Sequence, residues 1–402
     1  MTVTGTSSGQ AAPAGPESGV AVGARAAAVA QVAAEHAGGC DERAEFPVAA
    51  LTALRGSGLM GLLIPRQYGG LGGSLRDLAE VAEVLAGSCL STALIWAMHC
   101  QQAVAIAGHA TPGLRRRLLP RIAAGQVYLA SVTTEYVKGG HLLTCHSPLT
   151  SDGDWLTIRR EAPVVTGGEH ADGFLLTMQA PAPGPPSAVT LVYADRGQLQ
   201  ATSSGSWNPM GMRATRSISM SLAGRIPADQ VIGGQGGFRP IAVGTFIPAG
   251  HIGWAAAWLG GATAALRGIV ATARTPAGRR QLRADSDAFR HQLARIRLDL
   301  DLIGALLQRV IAEVGQPGAD IEAADCQLRL NGLKVAASEL CFSAVDRMIQ
   351  LSGLRGGYMR DSPLHLERTF RDLRSASINY ANERLLSANG LLTLMDRHVR
   401  VG

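Results

Sequence analysis

The 402-residue chain reads as an α+β protein in three successive parts, and three features predict this. Apolar residues recur at helical spacing from about Val20 to Gln126. Near Tyr128 the period shortens to the alternation typical of strands, and after Phe238 helical spacing resumes and runs almost to Val399. Those two changes of period divide the chain into an N-terminal helical domain (20–129), a middle β domain (130–235) and a C-terminal helical bundle (236–402). Residues 1–19 are mostly Thr, Ser, Gly, Pro and Ala with no basic start and no apolar block, so a disordered leader is expected rather than a signal peptide.

Taken in order, Ala24–Ala37 is an alanine-rich helix that Gly38-Gly39 is expected to end. Pro47–Ser57 carries apolar residues at helical spacing, with Gly58 closing it. Gly61–Gly70, GLLIPRQYGG, is a short apolar run into a glycine-rich turn. Ser74–Ala86 and Ser91–Gly108 read as helices, and Pro112 begins another. Strands are predicted at Leu129–Thr133, Val164-Val165, Gly173–Thr177, Ala188–Tyr193 and Ser217–Leu222, separated by turns rich in Gly, Pro, Asp and Ser. Breaks at Pro276, at Gln316-Pro317-Gly318 and over Ser352–Ser362 divide the last part into four to five helices, a bundle.

The bulk composition excludes several classes. A formal charge of +6 rests almost wholly on arginine, since Lys138 and Lys334 are the two lysines. Apart from Arg115-Arg116-Arg117 the arginines are scattered, and no basic stripe interleaved with aromatics suggests nucleic acid. Cys40, Cys89, Cys100, Cys145, Cys326 and Cys341 form no CxxC and no zinc spacing, which fits free thiols in a reducing cytoplasm and no metal. No charge interrupts the span between Arg239 and Arg267, a length able to cross a bilayer. Its Pro248, His251 and many small residues instead favour a helix buried on all sides in a bundle, so no membrane is expected. No GxGxxG and no Walker loop occurs, which disfavours Rossmann and P-loop nucleotide sites.

One stretch says more than the rest. In Trp207–Val231 a Met-Gly-Met-Arg turn leads into the alternating Ile218–Leu222, then Ile226-Pro227 and Val231-Ile232-Gly233. This resembles the end of the β-domain in the acyl-CoA dehydrogenase superfamily, and GLLIPRQYGG resembles a second motif of it. The resemblance covers nearly the whole chain after residue 20. It implies that the middle unit is β-barrel-like and that flavin lies between that unit and the bundle. FAD is the expected cofactor, with FMN also open, and a homodimer or homotetramer is expected because the family's cofactor bridges subunits. By the same resemblance Thr133 and Thr134 meet the pyrimidine edge of the ring, and the Thr166 hydroxyl meets flavin N5. Val164 replaces a ring-packing tryptophan. Arg274 matches an arginine that reaches the pyrophosphate in a neighbouring subunit. Gln350–Gly357, QLSGLRGG, matches a phosphate-contacting turn in which Gln350, Arg355, Gly356 and Gly357 take part, and Asn382 is a further candidate contact.

The departures from that pattern bear on chemistry. Acyl-CoA dehydrogenation requires a carboxylate to remove the α-proton, and the family places it at one of two positions. Tyr380 stands at one and Gly250 at the other. A phenol with a pKa of about 10 is ionised to roughly one part in a thousand at neutral pH, a deficit of about 4 kcal/mol. Glu383, one turn beyond Tyr380 if the helix is continuous, is the alternative base. Loss of both carboxylates resembles the monooxygenase branch of the superfamily. Its members take reduced flavin from a separate flavin reductase and pass oxygen from O2 to a small-molecule substrate. His99 and His251 are the candidate proton-steering residues for that chemistry. Three readings therefore stand: a reduced-flavin monooxygenase of specialised metabolism, an acyl-CoA or acyl-carrier-protein dehydrogenase served by electron-transfer flavoprotein, and a non-catalytic scaffold.

Overall fold

The first helix, α1 (Gly19–Arg43), does not stop at Gly38-Gly39 but runs four residues beyond them. Its buried Ala33 and Ala37 pack on Ala50 and Cys89, and that packing outweighs the poor helix propensity of two glycines. The structure, a computed structural model, describes residues 19–137, 141–181, 184–396 and 399. The expected leader, except Gly19, lies outside the described residues, as do Lys138, Gly139 and Gly140.

The N-terminal part continues with α2 (Val48–Ser57), α3 (Leu75–Ala86), α4 (Leu90–His109) and α5 (Pro112–Ala123). Gly58 ends α2 in the left-handed conformation, and a Ser74/Asp77 capping box starts α3. Among the described residues eight strands follow: β1 (Leu129–Val132), β2 (Thr150–Asp152), β3 (Trp155–Val165), β4 (Gly173–Gln179), β5 (Val189–Asp195), β6 (Leu199–Ser204), β7 (Ile218–Pro227) and β8 (Val231–Ile232). They form two four-stranded sheets, ordered β1-β4-β5-β8 and β2-β3-β7-β6, and these make up the barrel-like unit. Only the end of β3 is visible as apolar sequence. The rest of it passes through Arg159-Arg160-Glu161, where Arg160 points inward and is buried.

The last part is α6 (Phe238–Ile241), a π-turn over Ala242–Phe246, α7 (Ile247–Arg274), α8 (Pro276–Gln281), α9 (Asp287–Val314), α10 (Ala324–Gly353), a second π-turn over Leu354–Tyr358, α11 (Leu366–Arg374) and α12 (Asn382–Met395). Helix α7 packs against α3, α4, α9 and α10 at once, so the uncharged span after Arg239 is a core helix. Its glycines permit the closest approach: a Cβ on Gly260 would lie 2.4 Å from the Glu83 carbonyl oxygen of α3. Among the described helices, α4 is long and apolar enough to cross a membrane, and 83% of its apolar window is buried in the protein.

Candidate functional site

The sheet side of the site is made by an irregularity. The pairing of β3 with β7 shifts register between Ala162 and Val165, a bulge of the kind that re-aims side chains. Val164 is thereby 42% exposed. Thr166 follows, half-buried, and the chain turns at Gly167 with φ +60. Any Cβ there would lie 2.5 Å from both the Phe46 ring and the Tyr128 hydroxyl, so the turn needs glycine.

Behind Thr166 stands a line of hydroxyls. Thr166 Oγ1 lies 2.9 Å from Ser217 Oγ, which lies 2.9 Å from Thr215 Oγ1, and Thr215 Oγ1 donates to the Met212 carbonyl at 2.8 Å. Ser217 and Thr215 are buried. Thr134 closes the other side by donating its hydroxyl to the Val164 carbonyl at 3.0 Å, with Thr133 half-buried beside it. The exposed Tyr136 hydroxyl bonds Ser219 Oγ at 2.9 Å.

What fixes that strand end is a buried ion pair that sequence reasoning missed. The Arg160 guanidinium bonds Glu135 and donates to the Thr134 carbonyl at 2.9 Å. Glu135 also accepts from Ser147 Oγ at 2.6 Å and the His146 N–H at 3.1 Å. Burial pushes the Glu135 carboxyl up, but the Ser147 hydroxyl and the Arg160 charge more than reverse it, leaving its pKa below the ordinary value.

On the bundle side, His251, Trp254 and Tyr380 gather. The His251 ring lies 5.8 Å from the Tyr380 ring and 6.0 Å from the Trp254 ring. His251 is buried, and its Nδ1 is 3.3 Å from the Leu330 carbonyl, which places the proton on Nδ1. Burial, aided by the Lys334 charge, pushes it down to about 3, so it is neutral. Tyr380 has a left-handed backbone, φ +53, and burial raises its phenol pKa, so even less of it is ionised and available as a base than of a free phenol. The indole Nε1 of Trp254 is buried without a hydrogen-bond partner.

Lys334, the second residue missed, holds that turn from behind. Fully buried, it donates to the Ala376 and Tyr380 carbonyls at 3.0 Å each and to Asn382 Oδ1 at 2.7 Å. Asn382 uses its amide protons on Ser338 Oγ and Glu339, both at 2.9 Å. The expectation that Asn382 reaches a cofactor therefore meets a side chain already engaged on every side.

The helical relation expected between Tyr380 and Glu383 is absent, because α12 begins at Asn382, after the left-handed Tyr380. Glu383 is exposed on an open pocket of ≈ 660 Å³ with His141, Thr144 and Ser387. At the other base position, a Cβ on Gly250 would lie 2.4 Å from Gln101 Nε2, which donates to the Phe246 carbonyl at 2.6 Å. The space for a side chain at 250 is thus filled by the Gln101 amide, a residue that the sequence did not single out.

His99 stands apart from this cluster. Its Nε2 is 2.9 Å from the Met60 carbonyl and its Nδ1 accepts from the Leu129 N–H at 3.1 Å, with no exposed surface. Neither nitrogen is left to carry a proton to a substrate, which corrects its expected role to a brace between α4 and β1. Burial pushes it down to about 4, the Met60 carbonyl opposing. Because the folded value lies below the unfolded 6.5, the unfolded chain takes up a proton that the folded chain refuses. His99 thus contributes stability that is complete above pH 6.5 and lost as pH falls toward 4, about 3 kcal/mol in all. Denaturant midpoints measured from pH 7.5 to 4.5 should fall less steeply in His99→Gln than in the wild type. The comparison cancels other groups, including buried Asp372, whose value near 7 gives the opposite slope; equal slopes would remove His99 from this account.

The remaining expected contacts lie on the outside of the bundle. Arg274 is exposed at the end of α7, on the rim of an open pocket of ≈ 750 Å³ with Arg267 and Arg297. Gln350 is exposed and its amide donates to Asp346 at 2.9 Å. Arg355 is exposed on the second π-turn, but Gly356 and Gly357 are buried. A Cβ on Gly357 would lie 2.6 Å from the Ile349 carbonyl oxygen, so this glycine serves the packing of the turn on α10.

A helical layer, a two-sheet unit and a helical bundle, with hydroxyls on the sheet edge and an apolar aromatic cluster in the bundle, define a class of three-part α–β–α chains. Residues 21–126 match the acyl-CoA dehydrogenase N-terminal domain and residues 237–380 match the acyl-CoA dehydrogenase C-terminal domain. The chain belongs to the acyl-CoA dehydrogenase family. It is 25% identical over 336 residues to the mitochondrial very long-chain specific acyl-CoA dehydrogenase of Bos taurus, covering 80% of this chain and 49% of that protein. The chain thus spans about half the length of that relative and of its other mammalian counterparts. Among solved structures, FMN-bound TdsC from Paenibacillus sp. A11-2, a dibenzothiophene monooxygenase, superposes with a TM-score of 0.82 at 19% identity, over 94% of this chain and 98% of that one. KijD3 in complex with FMN and a dTDP-linked 3-amino-4-keto sugar superposes with a TM-score of 0.80 at 23% identity, over 97% of each chain.

Proposed function

We propose that the chain is a flavin-dependent oxidoreductase that transfers one atom of O2 to a small organic substrate. The observation that carries this reading is the lack of a carboxylate at both base positions: Tyr380 is a half-buried, neutral phenol, and Gln101 fills the space beside Gly250. Removal of an α-proton from an acyl thioester has no base there.

The residues present fit a flavin. Thr166, Thr134 and Thr133 offer hydroxyls beside the exposed side chains of Val164 and Tyr136, a surface suited to a flat ring with a hydrogen-bonding edge. Bound there, reduced flavin would supply two electrons, one oxygen atom going to the substrate and the other leaving as water. The chain's own part is to exclude water and to orient substrate. His251 and Trp254 form a buried, apolar cluster beside Tyr380, and the unpartnered Trp254 N–H is the proposed donor to a polar group of the substrate. FMN is favoured over FAD by its presence in TdsC and KijD3. Arg274, Gln350 and Arg355, all exposed, as are Leu354 and Tyr358 on the second π-turn, are proposed to contact a second copy of the chain in a homo-oligomer. A separate reductase in the cytoplasm is the proposed source of reduced flavin.

The sequence relatives favour a second reading, an acyl-thioester dehydrogenase. One experiment separates the two. Protein loaded with reduced FMN and exposed to ¹⁸O₂ with sulfur, amine and aromatic substrates is expected to yield a product carrying one ¹⁸O atom. Protein loaded with oxidised FMN is expected to keep its flavin absorbance when acyl-CoAs are added. Bleaching by an acyl-CoA, with no label in any product, would hand the assignment to the dehydrogenase.

A further inference from the structure

The hydroxyl line behind Thr166 has a direction. Each of its three hydroxyls carries one hydrogen. Met212 supplies a carbonyl oxygen, which only accepts, so the Thr215 hydrogen is committed to it across 2.8 Å. The 2.9 Å link between Thr215 and Ser217 then needs the Ser217 hydrogen. The 2.9 Å link between Ser217 and Thr166 in turn needs the hydrogen of Thr166. No other arrangement places a proton in all three links; turning Ser217 around would leave two oxygens 2.9 Å apart with nothing between them. Thr215 and Ser217 are 4% and 5% exposed, so water does not supply a substitute donor. Thr166 is half-buried, and its lone pairs are what it offers outward.

Resting on the flavin reading above, we propose that Thr215 and Ser217 are positioning residues that make Thr166 an acceptor only, so that the site selects reduced over oxidised flavin. Reduction of the ring by two electrons places a hydrogen on N5, and that N–H can donate to Thr166. In the oxidised ring N5 carries a lone pair that would face the lone pairs of Thr166. A site built this way takes up flavin already reduced and releases it, or holds it less tightly, once it is oxidised. It is the opposite of what an enzyme that starts each turnover from bound oxidised flavin needs.

The test is a comparison of dissociation constants for oxidised and for dithionite-reduced FMN and FAD, under anaerobic conditions, together with the two-electron midpoint potential of the bound flavin. The wild type is expected to bind the reduced form about tenfold more tightly than the oxidised form, which lifts the potential about 30 mV above that of free flavin. In Ser217→Ala the Thr166 hydrogen is free to turn outward, and in Thr215→Val the Ser217 hydrogen can turn to Thr166 and free it. Both variants are expected to lose the tenfold preference. A merely structural role would weaken both redox forms alike and leave the potential where it was. A wild-type potential at or below that of free flavin, or an unchanged preference in both folded variants, would overturn the relay and leave the flavin reading standing. Failure of the wild type to bind either flavin in either redox state would overturn both.

Discussion

Arg160→Met is expected to destabilise the protein by about 3–5 kcal/mol. The substitution leaves Glu135 buried without the Arg160 cation, with the Ser147 hydroxyl, the His146 N–H and the Cys145 thiol still facing the carboxylate. The pair itself is not a gain over an apolar core: Arg160 Nε is buried with no partner, so part of the desolvation of the guanidinium goes uncompensated. Its value is local order. Arg160 ties β3 to the Thr134 carbonyl, and so fixes the strand end that carries Thr133 and Thr134. Urea unfolding should therefore show a large loss for Arg160→Met and a smaller one for Arg160→Met combined with Glu135→Gln, in which no unpaired charge remains. Flavin affinity should be low in both, because the Thr134 carbonyl is released in both. A loss of less than 1 kcal/mol in the single variant would mean that water reaches the pair.

The contrast between β3 and the parts that were readable explains what a sequence can carry. Periodicity reports faces, so the switch from helical to strand spacing near Tyr128 and back near Phe238 was legible. The inward-facing Arg160 interrupts the apolar alternation of β3, and the strand was visible only at Val164-Val165. The missing carboxylates were legible because they are matters of identity at a position. That Gln101 fills the space at Gly250 was not, because it depends on how α4 lies against α7. His99 shows the same limit: a histidine on an apolar helix is visible, but the two backbone groups that occupy its nitrogens come from residues near 60 and 129. The QLSGLRGG turn was read as glycines opened toward phosphate, whereas Gly357 is glycine because the α10 backbone at Ile349 leaves no room for a Cβ. Lys334 had no sequence neighbour to give it meaning. Its three acceptors lie at 376, 380 and 382, brought together only by the turn it holds.

Gly250→Glu, which places a carboxylate at the second of the family's two base positions, is expected to give no acyl-thioester dehydrogenase and to lower stability by about 2–4 kcal/mol. The first atom of the new side chain would lie 2.4 Å from Gln101 Nε2, so the amide must leave. Its departure strips the Phe246 carbonyl, at the end of the π-turn, of the donor that reaches it from α4. Gln102 Nε2, 3.4 Å from Gln101 Oε1, loses its acceptor as well. The carboxyl that arrives is buried beside a neutral His251, and the nearby Lys334 ammonium is already committed to the Ala376 and Tyr380 carbonyls and Asn382, so burial raises its pKa and holds it protonated when a base is needed. Adding Gln101→Ala should recover part of the lost stability by making room, and should leave the carboxyl just as protonated. The measurements are thermal or urea unfolding for both variants and absorbance of bound oxidised flavin during titration with short and long acyl-CoAs. Flavin bleaching in Gly250→Glu would show that the pocket already holds a thioester with its α-carbon over the ring. It would mean that only the base had been lost from a dehydrogenase, and the oxygen-transfer reading would fall with it.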